Sequence, residues 1–180
     1  MFEERITDHL SLRPATPLDA AEIFTVVDRN RDHFRTYLPW VDTTLTADDE
    51  LGYLKSLGWS GTVTYLLTWD GAIIGSCGFH NLDLENHAAE IGYWIDQAYE
   101  GRGLMSAAVR CLERFAVEEL RVERLVISAA EPNRKSRAIP ERLGYQLEGI
   151  LRQEHPLTDG SLVDRCIYSL LKPEWLSREA

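Results

Sequence analysis

The chain predicts an α+β fold, one twisted mixed central sheet with helices on both faces, and three observations carry that expectation. Runs of alternating or continuous apolar residues intermix irregularly with runs of helical period, without the strict β-α-β order of a wholly parallel sheet. Asp70-Gly71 separates two strand-like runs as a hairpin turn. The apolar run Ala88–Ile95 passes through a short loop into a helix that opens on two spaced glycines, Gly101 and Gly103.

Taken in order, Leu10 to Arg13 alternates as a first strand, and Pro17 to Val27 has helical period with Asp19 in its first turn. A second helix is expected from Thr46. Its hydroxyl can cap the helix, Asp48 and Asp49 complement the dipole, and Leu51, Leu54 and Leu57 pack inward until Gly58 to Gly61 ends the run. Val63–Trp69 and Ala72–His80 form the hairpin, and Ala88–Ile95 adds a central strand. From Gly103 a helix presents Leu104, Ala108, Cys111, Leu112 and Phe115 on one face, with Arg110, Glu113, Arg114 and Glu118 mostly on the other. Arg124–Ala129 then reads as a strand, Arg134–Leu143 as a helix, and Gln146–Gln153 with Val163–Leu171 as a closing antiparallel pair. Neither a repeat nor a low-complexity linker interrupts the chain, so residues 1–180 are expected to form one domain.

The glycine-spaced helix start carries the chemistry. The first amides of a helix lack intrahelical partners and lie at the positive end of the macrodipole, so glycines there admit an anionic phosphate to the backbone. A turn that merely needs positive φ accounts for the glycines equally well on its own. Gly101-Arg-Gly-Leu-Met-Ser106 is one residue from a dinucleotide-binding fingerprint, and Glu123 falls near the distance of a ribose-binding acid. Context argues against that fold. Asp96 to Glu100 intervene between strand and glycines, and Glu123 precedes the apolar run Leu125–Ile127 where it should follow one.

Composition narrows the class. With 180 residues, 44% of them hydrophobic, the chain is long enough to bury roughly 70% of its unfolded surface. A formal charge of −10 argues against nonspecific binding to nucleic acid or an anionic membrane, because the field of the whole molecule repels phosphates. Cys77, Cys111 and Cys166 make no Cys-x-x-Cys pair and suggest neither disulfides nor zinc. His80 and His87 read as solvated histidines without a further ligand at metal spacing, and no metal is expected. The start Met1-Phe-Glu-Glu-Arg5 has no signal-peptide pattern and no run approaches a membrane span, so a cytoplasmic location is expected. Arg134, Lys135, Arg137 and Arg142 concentrate positive charge on one predicted helix, as a phosphate-binding start or as a solvated basic face.

Several segments, in this order, resemble the GNAT N-acetyltransferases, and within them the RimJ/RimL-like branch that acetylates ribosomal protein N-termini. They are Leu10-Ser-Leu-Arg-Pro-Ala-Thr16, Ile73-Ile-Gly-Ser-Cys-Gly-Phe79, Glu90-Ile-Gly-Tyr-Trp94, Gly101-Arg-Gly-Leu-Met105, Asn133-Arg-Lys-Ser136, Arg142-Leu-Gly-Tyr145, and the tail from Asp159-Gly160 through Asp164 to Tyr168-Ser-Leu-Leu171. The resemblance implies the GNAT fold and direct acetyl transfer from acetyl-CoA, as co-substrate, to an amine. It also implies a cofactor site made of Tyr93, Trp94 and Ile95 along the strand, Gly101, Arg102, Gly103, Leu104, Met105 and Ser106 at the loop, and Asn133, Arg134 and Ser136 beyond. Tyr93 to Ile95 are expected to act mainly through their backbone. The implied partners are coenzyme A and a protein N-terminus, with a small amine as the alternative acceptor and a homodimer as a possible assembly. A noncatalytic acyl-CoA sensor is the reading from another class.

The resemblance also assigns the proton-transfer groups, with departures. Most of the family protonates the leaving thiolate with a Tyr seven residues after the Asn, where this chain has Pro140; Ser136, three residues after Asn133, matches the serine thought to serve in the RimL-like branch. A structural role for Ser136 at the helix start is the competing reading. Three residues compete as general base. Glu90 stands in the Ala-Glu-Ile context of histone-type relatives, or serves as a salt-bridged structural glutamate; Glu154 and His155 fall on the penultimate strand, one register apart. Glu100 stands where relatives carry Gln or Arg, and it puts a negative side chain near the pyrophosphate unless it turns to solvent. Tyr37-Leu-Pro-Trp40 falls in the loop that lines the acceptor groove of relatives; Trp40, Trp59 and Trp69 read as core or groove aromatics.

Overall fold

The computed structural model describes residues 2–57 and 61–179. One eight-stranded sheet runs β1 (Glu4–Arg5), β2 (Leu10–Pro14), β3 (Val63–Trp69), β4 (Ala72–Asp83), β5 (Ala88–Ile95), β6 (Arg124–Ala130), β8 (Leu162–Leu171), β7 (Gln146–Pro156) across its width. All pairs are antiparallel except β5 with β6, so the sheet is mixed as predicted. The β3–β4 turn places Asp70 at φ 49° and Gly71 at φ 86°, the two left-handed positions that an Asp-Gly hairpin supplies.

The helices divide between the faces. α1 (Ala20–Arg29) and α3 (Ala47–Ser56) cover one face, where Ile23, Val27, Phe34, Leu54, Leu66 and Ile73 form a core. α4 (Leu104–Glu118) and α6 (Lys172–Glu179) cover the other, over Leu12, Leu67, Ile91, Leu112, Ile127 and Trp175, and Ile139 of α5 (Arg134–Arg142) packs there as well. Thr46 caps α3 as expected: its hydroxyl accepts the Asp49 amide at 3.2 Å while the Asp49 carboxylate accepts the Thr46 amide at 2.8 Å. Gly58, Trp59 and Ser60, predicted to end this helix, lie outside the described residues.

Several elements differ from the expectation. The predicted helix at Pro17 opens as a 3-10 turn over Pro17–Asp19 before α1 begins. A short helix α2 (Arg31–Phe34) and the closing α6 were not predicted. Each is eight residues or fewer, too short for periodicity to stand out. α6 is tied down by burial of Trp175 and by Arg178, which pairs with the fully buried Glu113 of α4. Cys77, Cys111 and Cys166 are free and buried.

The feature that makes a site is the parting of β5 from β6. β5 follows β4 from Glu90 to Ile95, but it follows β6 only through Ala88, Ala89 and Glu90. Beyond Glu90, β6 turns with β8, which it follows to Ala130. Among the described residues, Ile91 to Ile95 therefore have no strand partner on that side, and a wedge opens through the middle of the sheet.

Candidate active site

A continuous channel of about 2040 Å³ occupies this wedge and reaches both faces of the sheet. One end is the glycine loop and α5; the other is walled by α2, α3 and the loop after α2. Of the residues assigned to the cofactor, Tyr93, Trp94, Ile95, Gly101, Gly103, Leu104, Met105, Ser106, Asn133, Arg134 and Ser136 line it. Arg102 is the exception. Its guanidinium donates to the Ala98 carbonyl at 2.9 Å and lies 5.1 Å from the Tyr99 ring centroid, which leaves its amide as the part that can serve the loop.

The loop is built to present amides. Gly101 at φ 73° and Gly103 at φ 75° both sit in the left-handed region that side chains disfavour. The first bond of α4 runs from the Ala107 amide to the Gly103 carbonyl at 3.1 Å, so the amides of Gly103 to Ser106 have no intrahelical acceptor. The approach is anchored from behind, since the Asp96 carboxylate accepts the Ala98 amide at 3.0 Å and pairs with Arg29 of α1 at 2.5 Å. Glu100 does not turn to solvent. It bridges His33 of α2 at 2.7 Å and Lys135 of α5 at 2.5 Å across the channel mouth. Burial raises its pKa, but Lys135 and His33 outweigh that and leave it below the usual carboxylate range, so its charge is compensated beside the loop.

Pro140 explains the next part of the site. It lies inside α5 and has no amide to give the Ser136 carbonyl one turn back. That carbonyl instead accepts the Tyr93 hydroxyl at 3.0 Å, and the Ser136 hydroxyl donates to the Tyr93 oxygen at 3.4 Å. The Asn133 side chain caps α5 by accepting the Ser136 amide at 3.2 Å. Burial raises the Tyr93 phenol well above its ordinary value, so it stays protonated throughout the neutral range. Its side chain is thus part of the site, beyond the backbone role expected of it.

The base candidates separate. Glu90 lines the channel, accepting Ser128 Oγ at 2.6 Å and Asn81 Nδ2 at 3.3 Å, and among the described residues no cation pairs with it, contrary to the salt-bridged alternative. Glu154 does not line the channel. It points outward to an ion pair with Arg165 at 2.5 Å. His155 does line it, but both ring nitrogens are engaged: Nε2 donates to the Tyr37 carbonyl at 3.1 Å and Nδ1 faces Arg165 Nη2 at 3.3 Å. A ring so held has no free lone pair for an incoming proton. The two registers left open on the penultimate strand follow from an irregularity between Leu151 and His155, with Gln153 at φ 51°.

The sequence did not place two further residues at the channel. His80 is exposed, as the sequence reading has it, but it also lines the channel as the cross-strand partner of Glu90, its ring so close over Gly92 that a Cβ there would meet it at 2.4 Å. Partial desolvation against the channel wall lowers its pKa, and Glu90 acts in the opposite direction. This pairing belongs to β4 and β5, whose register is irregular between His80 and Asp83, so the Asp70-Gly71 hairpin, which joins β3 and β4, does not reveal it. Glu50 lies on the inward face of α3, one turn before the buried Leu54; the same helical spacing that places Leu54 and Leu57 inward includes it. Tyr37, Leu38 and Trp40 line the channel at its α2–α3 end, held by Arg31, which donates to the carbonyls of Val41 and of Thr44, the latter at 2.8 Å.

Comparison with known proteins agrees with this geometry. The family profile described as Acetyltransferase (GNAT) domain matches residues 9–146. The chain is 36% identical to YdaF of Bacillus subtilis (strain 168), which is named as a ribosomal N-acetyltransferase, over 97% of this chain and 98% of that one. It is 27% identical to the ribosomal protein uS5-alanine N-acetyltransferase of Escherichia coli (strain K12), over 94% of this chain and 91% of the other. Among solved structures, an acetyltransferase superposes with a TM-score of 0.88 at 35% identity, covering 97% of this chain and 99% of that one. RimL, a ribosomal L7/L12 alpha-N-protein acetyltransferase solved with coenzyme A, shares the fold with a TM-score of 0.90 at 24% identity, covering 96% and 99%. With the phosphate-type loop, the parted strands and these matches together, the chain belongs to the GNAT family of N-acetyltransferases.

Proposed function

We propose that this enzyme transfers the acetyl group of acetyl-CoA directly to the N-terminal α-amine of a protein, with ribosomal proteins as the acceptor class. The observation that supports it most is the channel, which joins an amide-rich anion site at Gly103–Ser106 to an open, acid- and aromatic-lined acceptor side. The pyrophosphate of the cofactor lies against the loop amides, and pantetheine runs along the free edge of Ile91–Ile95 as an added strand. A backbone amide there holds the thioester oxygen. Glu90, supported by His80 and Ser128, takes the proton of the attacking amine, and Ser136 with Tyr93 returns one to the thiolate. The relatives named for ribosomal N-terminal substrates favour an α-amine over a small amine.

An α-amine with pKa near 8 costs about 1.4 kcal/mol to deprotonate at pH 7, and a lysine near 10.4 roughly 4.6. Free-thiol release is therefore expected with peptides bearing small N-terminal residues, and only weak turnover of internal lysine. Efficient acetylation of aminoglycosides or polyamines with none of peptides overturns the reading in favour of a small-amine enzyme; cofactor binding without turnover of any amine points to an acyl-CoA sensor.

The base can be tested on the same peptides. Glu90→Gln is expected to lower kcat/KM about tenfold at pH 7, matching the cost of an unassisted α-amine, with the deficit closing toward pH 9 where the amine is already free. A deficit that persists at pH 9 marks Glu90 as structural.

A further inference from the structure

Glu50 is only 5% exposed, yet it lines the channel on the acceptor side. Its carboxylate has no hydrogen-bond or ion-pair partner among the described residues, and burial alone lifts its pKa to about 7. Neighbouring Asp49 is not comparable, because its carboxylate is consumed in the helix cap with Thr46. The Glu50 oxygens open on the channel and not on a sealed core, so a carboxyl otherwise held out of bulk solvent is free to take a partner from outside the chain. The surroundings suit a cation. Tyr53, one turn along α3, bonds Thr64 Oγ1 at 3.1 Å on the same wall, and Phe34, Trp40 and Trp94 offer aromatic surface on this face.

We propose that Glu50 is an acceptor-recognition residue, its carboxylate receiving the ammonium group of the incoming amine before that amine reaches Glu90 and the thioester. The inference rests on the acetyl-transfer reading and assigns the acceptor side its chemistry: substrates enter as cations, and neutral amides or alcohols are refused. A carboxyl poised near neutrality ionises readily when the cation arrives, and the buried charge then has its partner. Glu50 contacts the substrate here but takes no proton from it.

The test compares the parent, Glu50→Gln and Glu50→Asp with acetyl-CoA and three probes: the peptide amide Ala-Ala-Gly-Ala, whose only cation is its α-ammonium, spermidine, and kanamycin. For whichever amine the parent acetylates, Glu50→Gln is expected to raise the acceptor KM at least tenfold, with kcat within twofold and the KM of acetyl-CoA unmoved. Glu50→Asp, which keeps the charge but retracts it, should fall between. An unchanged acceptor KM, or a loss confined to kcat, overturns the assignment, and the unmoved cofactor KM reports that the variant is folded. If Glu50→Gln does not fold, Glu50→Asp decides alone: a parental acceptor KM overturns the proposal, and a raised one at parental kcat supports it. A parent that acetylates spermidine or kanamycin but not the peptide removes the α-amine reading and leaves Glu50 to be scored on that amine. A parent that acetylates none of the three removes both.

Discussion

A Gly103→Val substitution is expected to abolish acetyl-CoA binding, weakening it at least hundredfold in calorimetry, about 2.7 kcal/mol. Two costs combine at this residue. Gly103 holds φ 75°, and a side chain in the left-handed region costs roughly 1–2 kcal/mol, more for a β-branched one. The second cost is borne by the ligand. A Cβ on Gly103 meets no protein atom within 4 Å, so it projects into the channel space where a phosphate approaches the amides of Gly103 to Ser106. Gly103→Ala separates the two, since it shares the backbone strain with far less volume, and it should bind more weakly than the parent but measurably. Binding by the Val variant as tight as the parent's would remove this loop as the phosphate site.

The same loop shows how far local chemistry reaches. Two glycines, a strand before them and an amphipathic helix after them were legible because each depends on a few neighbouring residues, and the structure keeps them in that order. The Asp70-Gly71 hairpin and the Thr46 cap were legible for the same reason. The parting of β5 from β6 was not, although it creates the channel. Register between parallel strands joined by a long crossover is decided by packing across the sheet, and no local pattern in Ala88–Ile95 or Arg124–Ala130 announces that pairing stops after Glu90.

Site residues divide along the same line. The loop could be placed because it opens a helix, and Asn133 and Ser136 through the motif resemblance, whereas nothing local in the sequence puts Glu50 and His80 at the channel until α3 and β4 are packed around it. Tyr93 required more still. Its hydroxyl donates to the Ser136 carbonyl, which is left open because Pro140, forty-seven residues after Tyr93, has no amide to give it. Glu154 and His155 could not be separated in advance, since one irregular residue in an edge strand exchanges the two faces.

That Tyr93–Ser136 contact sharpens the expectation for the leaving group. Ser136→Ala should lower kcat by roughly tenfold to several hundredfold with cofactor affinity nearly unchanged, as for loss of a general acid. Among the described residues Tyr93 is the hydroxyl bonded to Ser136, and its raised pKa keeps it a donor at every pH where the amine reacts. It can hand a proton to Ser136 Oγ only by reversing the 3.4 Å bond, in which the serine now donates, so Tyr93→Phe should cost less than Ser136→Ala. The double variant should cost little more than Ser136→Ala alone, because the two act through one hydrogen bond and energies in such a unit do not add. Additive losses would place the hydroxyls in separate steps. A Ser136→Ala enzyme with parental kcat would leave Ser136 as the residue whose amide Asn133 caps, and would pass the proton to Tyr93 or to water.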